Sequence, residues 1–303
     1  MSPQTSGCLA LQGDPLRTPA APVAIRPRAA RITIVIPCYN EVTTILELIT
    51  RVQALPIDKS ILVIDNCSTD GTRAVLTDAF PEQLPDSDRA RLARVTPFVR
   101  DQRIYQAGEV TVLLQPRNYE KGQSFRIGIA LAEAPYIVCQ DADLEYDPSD
   151  ILRLLEHAER TQAAAVFGSR LSGHVTIARD VFQIGRVGLT KFFKLLYGSS
   201  ITDVATCYKL MRTDVARSLL LLSSGFNLDF EIPAELRRHG HAIHEVPVQY
   251  FPRSAREGKK IRFRDGIAAA WTMLKCRVRR AERLNPQKAA ALPDRMADGR
   301  SIR

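Results

Sequence analysis

Four short apolar runs, each closed by a polar motif and followed by a helical pattern, constrain this chain more than any other feature. Ile32-Thr33-Ile34-Val35-Ile36-Pro37 is apolar, β-branched and stopped by a proline, the mark of a buried strand. Cys38-Tyr39-Asn40-Glu41 then turns the chain into a helix over residues 42–55, whose apolar positions recur at helical spacing. The plan repeats, with a strand at 61–64, a polar turn from Asp65 to Thr72 and a helix over 73–80. A third strand at 110–114 leads through Arg117-Asn118-Tyr119-Glu120-Lys121-Gly122 into a helix over 124–132. The fourth, Tyr136-Ile137-Val138-Cys139, runs up to Asp141. Strands alternating with helices predict an α/β fold with a mostly parallel sheet covered on both faces. Ligands of such sheets sit outside the carboxyl ends of the strands. Every polar motif named above falls at such an end.

The fourth motif carries the most chemistry. Strand geometry sends residues i and i+2 to one side, so Asp141 and Asp143 converge where the strand stops. Two hard oxygen donors suit Mg2+ or Mn2+, which also prefer phosphate oxygens. A diphosphate held by such a cation is a leaving group made ready.

Ile36-Pro37-Cys38-Tyr39-Asn40-Glu41, the run Ile64-Asp65-Asn66-Cys67-Ser68-Thr69-Asp70-Gly71-Thr72, Lys121-Gly122 and Asp141-Ala142-Asp143 resemble, in order, the motifs of glycosyltransferase family 2. That family has the GT-A fold, a Rossmann-like nucleotide-diphospho-sugar transferase architecture, and inverts the anomeric centre. Thr202-Asp203-Val204-Ala205-Thr206-Cys207-Tyr208-Lys209-Leu210, Phe230-Glu231, Glu245-Val246-Pro247-Val248 and Arg253 are similar to its polyprenyl-phosphate branch, which includes dolichyl-phosphate mannosyltransferase and bacterial relatives. The likeness spans residues 31–280. It departs at the common Asp-Asp-Gly-Ser turn, where this chain has Asn66 and Cys67 in second and third place.

The resemblance assigns roles. Pro37, Tyr39, Glu41 and Asp65 line the base and ribose of a GDP- or UDP-hexose donor. Asn118 and Lys121, ahead of a helix amino end, assist the nucleotide or diphosphate. Asp141 faces the ribose or metal, and Asp143 is the more direct ligand of Mg2+ or Mn2+. Arg170, Arg253, Lys259 and Lys260 neutralise an acceptor phosphate, with arginine favoured because it forks two donors onto it. A polyprenyl phosphate is already an anion and needs little help from a base. A saccharide or other hydroxyl acceptor, the rival reading, needs a carboxylate to take its proton, and Asp203 and Glu231 are the candidates. Turn formation and capping are the alternative for Asp65 and Asp70, surface charge for Lys121, and a helix amino-terminal charge for Glu231. Nucleotidyl transfer would call for a Gly-rich basic loop after the first strand, which Pro37-Cys38-Tyr39-Asn40-Glu41 is not. A non-catalytic sugar-nucleotide binder would not need Asp141, Asp143, Asp203 and Arg253 together.

Composition bears on organisation and location. Residues 1–30 carry prolines, alanines and arginines without apolar periodicity and read as a disordered leader. The transferase domain is expected over 31–252, a basic loop with an amphipathic helix over 253–284, and a disordered tail over 285–303. Cysteines 8, 38, 67, 139, 207 and 276 form no Cys-x-x-Cys pair, which fits a reducing compartment and places Cys38 and Cys67 as small packing residues. No run of about 20 apolar residues exists to span a bilayer. Residues 253–303 hold 15 Lys/Arg against 5 Asp/Glu, a larger surplus than the whole chain's +9. No nucleic-acid-binding motif accompanies that charge. Residues 181–197 and 267–280 instead read as helices with apolar and cationic faces, able to lie on an anionic membrane surface. The expected protein is thus peripheral on the cytoplasmic membrane face, alone or with a separate membrane-anchoring protein. Residues 81–109 read as an insertion with a helix near 88–95 at the edge of the nucleotide cleft.

Overall fold

The computed structural model describes residues 30–96, 98, 102–171, 181–252 and 263–279. Among these residues eight strands form one sheet flanked by helices. In chain order the strands are β1 (Ile32–Cys38), β2 (Lys59–Asp65), β3 (Arg103–Ala107), β4 (Val110–Leu114), β5 (Tyr136–Cys139), β6 (Ala165–Ser169), β7 (Lys209–Arg212) and β8 (Ile243–Pro247). The spatial order is β3-β4-β2-β1-β5-β7-β6-β8. β1 runs parallel to both β2 and β5, and β2 parallel to β4. β3 and β7 run against their neighbours, while β6 and β8 are parallel to each other. The carboxyl ends of β1, β2, β4 and β5 therefore meet at one edge, with Cys38 beside Asp65 and Asp65 beside Leu114.

Burial explains the strand assignments. All seven residues of β1 are buried, as befits a central parallel strand covered on both faces. On helix α1 (Ile45–Gln53), Ile45, Leu48, Ile49 and Val52 are buried at i, i+3, i+4 and i+7. Each such side chain contributes about 1.5–3 kcal/mol on burial. Helix α2 (Thr72–Ala79) follows β2, and α3 (Asp86–Val95) precedes β3. Helix α4 (Glu120–Leu131) lies against β1 so closely that a Cβ on Gly128 would come within 2.5 Å of Val35 Cγ2. Helix α5 (Asp150–Thr161) buries Ile151, Leu154, Leu155 and Ala158. Short helix α7 (Thr213–Ser218) follows β7. Helices α6 (Val181–Tyr197), α8 (Leu228–Arg238) and α9 (Phe263–Val278) share a second cluster containing Phe193, Ala234, Met273 and Cys276.

Several boundaries differ from the sequence reading. α1 starts at Ile45 rather than 42, because Glu41 O closes a tight turn by accepting from the amides of Thr44 and Ile45. α4 begins at Glu120 rather than 124, so Lys121 and Gly122 belong to its first turn. A loop packed on that turn makes the early start possible, since the Gln123 amide donates to Ser224 O at 2.8 Å. β6 is positioned by its parallel pairing with β8, from Ala165 opposite Ile243 to Ser169 opposite Pro247. The 81–109 stretch holds α3 and also the edge strand β3, joined to β4 through Gly108 at φ +57°. The leader, the tail, and Arg253, Lys259 and Lys260 lie outside the described residues.

Candidate active site

The polar motifs line the cleft at the carboxyl edge of β1, β2, β4 and β5. Two loops stitched together form its first wall. The Asn40 amide donates to Ser68 Oγ at 2.9 Å, and Asn40 Oδ1 accepts from the Thr69 amide at 2.8 Å. Asp70 accepts from the Val42 amide and from Thr72 N and Oγ1. Burial opposes its ionisation, but these bonds hold its carboxyl below the usual range. Asp70 thus ties the β1 loop to the start of α2. Cys67 lies at φ +62°, a left-handed conformation that costs an L-residue about 1–2 kcal/mol and accounts for glycine in the related turn.

Asp65, at the end of β2, is fully buried. Its oxygens accept from the Ser68 amide at 3.3 Å and pair with Arg73 Nε at 2.9 Å. Burial raises its pKa against those two influences. Arg73 also donates to Gln115 O at 2.7 Å, joining the ends of β2 and β4. Ser124 of α4 bridges Gln115 and Asn66 beneath them. Pro37 is buried in β1, while Tyr39 remains partly exposed and Glu41 Oε2 accepts from Thr44 Oγ1 at 3.1 Å. Asn118 Oδ1 accepts from the Glu120 amide at 2.8 Å, so its carbonyl caps the start of α4.

The centre is a network of four charges. Lys121 Nζ lies 2.8 Å from Asp141 Oδ1 and 3.1 Å from Asp229 Oδ2. Lys209 Nζ approaches Asp229 Oδ1 at 3.5 Å and donates to Thr206 O. Burial works against charge on Lys121, yet Asp141 and Asp229 raise its pKa well above that of an ordinary lysine. Burial likewise opposes charge on Asp141, and Lys121 prevails in keeping its pKa low. For Lys209 burial wins and the pKa falls. Lys121 is therefore an interior cation rather than a surface charge. Gly122 allows this placement. A Cβ there would meet Ser224 O at 2.5 Å and Gly225 O at 2.7 Å. Asp143 Oδ1 accepts from the Glu145 amide at 3.2 Å, and Glu145 Oε2 accepts from Tyr250 OH at 2.7 Å.

The two carboxylates that a hydroxyl acceptor would call on as candidate bases, Asp203 and Glu231, both have partners within the fold. Asp203 is buried and forks onto Arg170, with Nε–Oδ2 at 2.6 Å and Nη2–Oδ1 at 2.8 Å. Burial would raise its pKa, but the Arg170 charge holds it down. Glu245 clamps the same loop by accepting from the amides of Thr202 and Asp203. Arg170, expected on an acceptor phosphate, thus spends its fork on Asp203 and packs over the rings of Tyr146 and Tyr250. Glu231 is buried too. Its Oε2 accepts from the amides of Leu222 and Ser223 at 3.0 and 2.8 Å, and its Oε1 faces Arg279 at 3.4 Å.

Arg73, Asp229 and Arg186 join these contacts from outside the motifs quoted above, while Lys209 lies inside the 202–210 run. Asp229 stands two residues before Glu231, and successive helical residues turn by about 100°, so one faces the cleft and the other the 222–223 loop. Arg186 of α6 is half-buried, with its guanidinium 5.8 Å from the Tyr250 ring centroid. Among the described residues no helix is long and apolar enough to cross a membrane.

The family model for glycosyl transferase family 2 matches residues 33–220. The chain is 24% identical over 233 residues to glycosyltransferase AglJ of Haloferax volcanii, covering 75% of this chain and 65% of AglJ, so the match spans just under two thirds of that relative. It is 25% identical over 266 residues to undecaprenyl-phosphate mannosyltransferase of Micrococcus luteus, covering 82% of this chain and 99% of that one. Its fold is similar to glucosyl-3-phosphoglycerate synthase of Mycobacterium tuberculosis, crystallised with Mn2+, UDP-glucose and phosphoglyceric acid. The TM-score is 0.55 at 17% identity, over 82% of this chain and 80% of that one.

Proposed function

The chain belongs to glycosyl transferase family 2, and we propose that this nucleotide-sugar glycosyltransferase delivers its sugar, with inversion, to a polyprenyl phosphate. The observation that carries the choice of acceptor is the fate of Asp203 and Glu231. A hydroxyl acceptor needs a carboxylate to take its proton in the transition state. Both candidates are buried, with their oxygens engaged by arginines and backbone amides. A phosphate acceptor arrives as an anion and needs neither. The Micrococcus relative, whose name specifies undecaprenyl phosphate, matches over 82% of this chain.

On this reading Asp65, Arg73, Tyr39 and Glu41 receive the base and ribose. Asp141 and Asp143 supply hard oxygen donors that fit Mg2+ or Mn2+. Such a cation, when bound, neutralises charge developing on the departing β-phosphate. Lys121 keeps Asp141 ionised and oriented, Asp229 holds Lys121, and Lys209 holds Asp229 from its other side. Across the cleft, Arg186 and the Tyr250 ring receive the acceptor phosphate. Arg170, locked to Asp203, stiffens the floor beneath Tyr250 rather than reaching the acceptor itself. Arg253, Lys259 and Lys260 remain further candidates for that phosphate.

The acceptor's lipid tail implies a membrane surface, and α9 offers a face for one. Ile267, Trp271, Leu274 and Val278 are exposed at i, i+4, i+7 and i+11, one stripe of the helix. Lys275 lies beside Trp271, and α6 carries exposed Leu195 near Lys191 and Lys194. Aromatic and aliphatic residues flanked by lysines suit the interface of an anionic bilayer. The test of the acceptor assignment is Arg186→Ala. Loss of a charge-assisted hydrogen bond costs about 1.5–3 kcal/mol, so KM for polyprenyl phosphate should rise at least tenfold while KM for the donor holds. An equal rise in both would overturn the assignment.

A further inference from the structure

Beneath Asp141 the fold places two thiols that glycosyl transfer does not use. Cys139 is the last residue of β5, two before Asp141, and Cys207 stands two residues before β7. The two sulfurs and an Asp141 carboxylate oxygen all lie within 4.8 Å of one another. The backbone of Cys207 is pinned, its amide donating to Tyr146 OH at 3.1 Å. The place already holds a cation, because Lys121 Nζ lies 2.8 Å from Asp141 and 3.8 Å from Cys207 Sγ. The thiols are buried, and a small pocket lies against them, walled by Lys121, Lys209 and Asp229 and by the apolar Phe125, Leu228 and Ile232.

We propose that Cys139, Asp141 and Cys207 form a second cation site, selective for thiophilic divalent ions such as Zn2+, which inhibits the enzyme by capturing Asp141. Zn–S bonds of about 2.3 Å and Zn–O bonds of about 2.0–2.2 Å in tetrahedral geometry put two sulfurs about 3.8 Å apart. The sulfurs lie within 4.8 Å of each other, so they reach that spacing with at most about an ångström of side-chain movement. Zn2+ would release two thiol protons to solvent, displace the Lys121 ammonium from Asp141, and keep water in its fourth position. Lys121 would retain Asp229. Soft thiolates discriminate strongly against Mg2+ and bind Mn2+ weakly, so the ion supporting catalysis is not the ion that inhibits. The binding half of the proposal rests only on the three side chains, whereas the inhibition rests on the proposed role of Asp141.

Co2+ is the probe for binding, because a thiolate-to-cobalt charge-transfer band in the near ultraviolet reports sulfur ligation without any assay of activity. Metal-free full-length protein titrated with Co2+ should develop that band with one equivalent, and Zn2+ should abolish it. Cys139→Ser and Cys207→Ser should each lose it, while Cys67→Ser and Asp143→Ala keep it. Retention in Asp143→Ala separates this site from the catalytic metal reading, because that variant is expected to lose turnover. Loss of an outer partner of a metal ligand alone weakens binding 10–100-fold. Removal of a ligand should therefore raise the Zn2+ concentration that halves activity at least tenfold, each variant measured against its own Mg2+-supported rate. Wild-type protein supplies a check that needs no variant, since Zn2+ should protect Cys139 and Cys207, but not Cys67, from alkylation. No thiolate band, a band that survives both serine variants, or alkylation of Cys139 and Cys207 unaffected by Zn2+ would overturn the site.

Discussion

Replacing Leu195 by glutamate should release the protein from anionic vesicles without touching the cleft. Leu195 is 82% exposed, and on α9 Val278 is 74%, Ile267 60%, Trp271 56% and Leu274 36% exposed. Together these leave about three side chains' worth of apolar surface in water, each worth about 2 kcal/mol if fully buried. An interface buries roughly half of that, about 3 kcal/mol. Lys191, Lys194 and Lys275 add about 1 kcal/mol each near an anionic leaflet. The sum, about 6 kcal/mol, corresponds to a dissociation constant of some tens of micromolar in accessible lipid. Leu195→Glu removes about 1 kcal/mol of apolar transfer and adds a repelled charge of similar cost. Vesicle affinity should therefore fall roughly thirtyfold, and the pair Leu195→Glu/Ile267→Glu should not sediment measurably. Co-sedimentation with phosphatidylglycerol-containing vesicles, at low and high salt, measures this. Transfer to a short-chain acceptor in detergent should be unchanged. Vesicle binding by the double variant equal to wild type would refute the assignment of this face.

Other expectations follow from single contacts. Asp203→Asn leaves the Arg170 charge buried without its partner, which should cost about 3–5 kcal/mol in denaturant unfolding; unchanged stability with a hundredfold loss of kcat would restore Asp203 as a base. Gly122→Ala sets a Cβ 2.5 Å from Ser224 O, a backbone atom. It should lower stability by about 1–3 kcal/mol and raise KM for the donor as Lys121 shifts, and normal values of both would contradict the packing argument. His157 Nε2 lies 3.0 Å from His244 Nδ1, and burial, then His244 and Arg160, lower its pKa. The unfolded chain therefore takes up the proton first, so stability is full above the ordinary value of 6.5 and declines as pH falls below it. His157→Gln should flatten that acid limb of the melting temperature, and an identical limb in the variant would remove the pair from the account.

Much of the fold was legible because parallel strands buried on both faces are written as continuous apolar runs. β1, β2, β4 and β5 all show this signature. β3 escaped notice because an edge strand needs only one apolar face, and its signal was the Ala107-Gly108-Glu109 turn rather than its own composition. β7 was hidden inside a polar motif, since Lys209 opens the strand and is buried through its pairing with Asp229. Motif residues were found readily, but their partners were not. Asp203 and Arg170 are 33 positions apart and Glu231 and Arg279 are 48 apart. Only the folded chain shows that a carboxylate fit to be a base already has a cation. Lys121 lay open to both readings for the same reason, because Asp141 and Asp229, which hold it, come from two other elements.

The acceptor is the central claim, and partition of labelled product measures it most directly. Full-length protein, Mg2+ or Mn2+, radiolabelled GDP- and UDP-hexoses and a short-chain polyprenyl phosphate would be incubated with a water-soluble saccharide present in the same tube. The account predicts label in the organic phase, absent with EDTA and absent in Asp143→Ala. Label confined to the aqueous saccharide would contradict it.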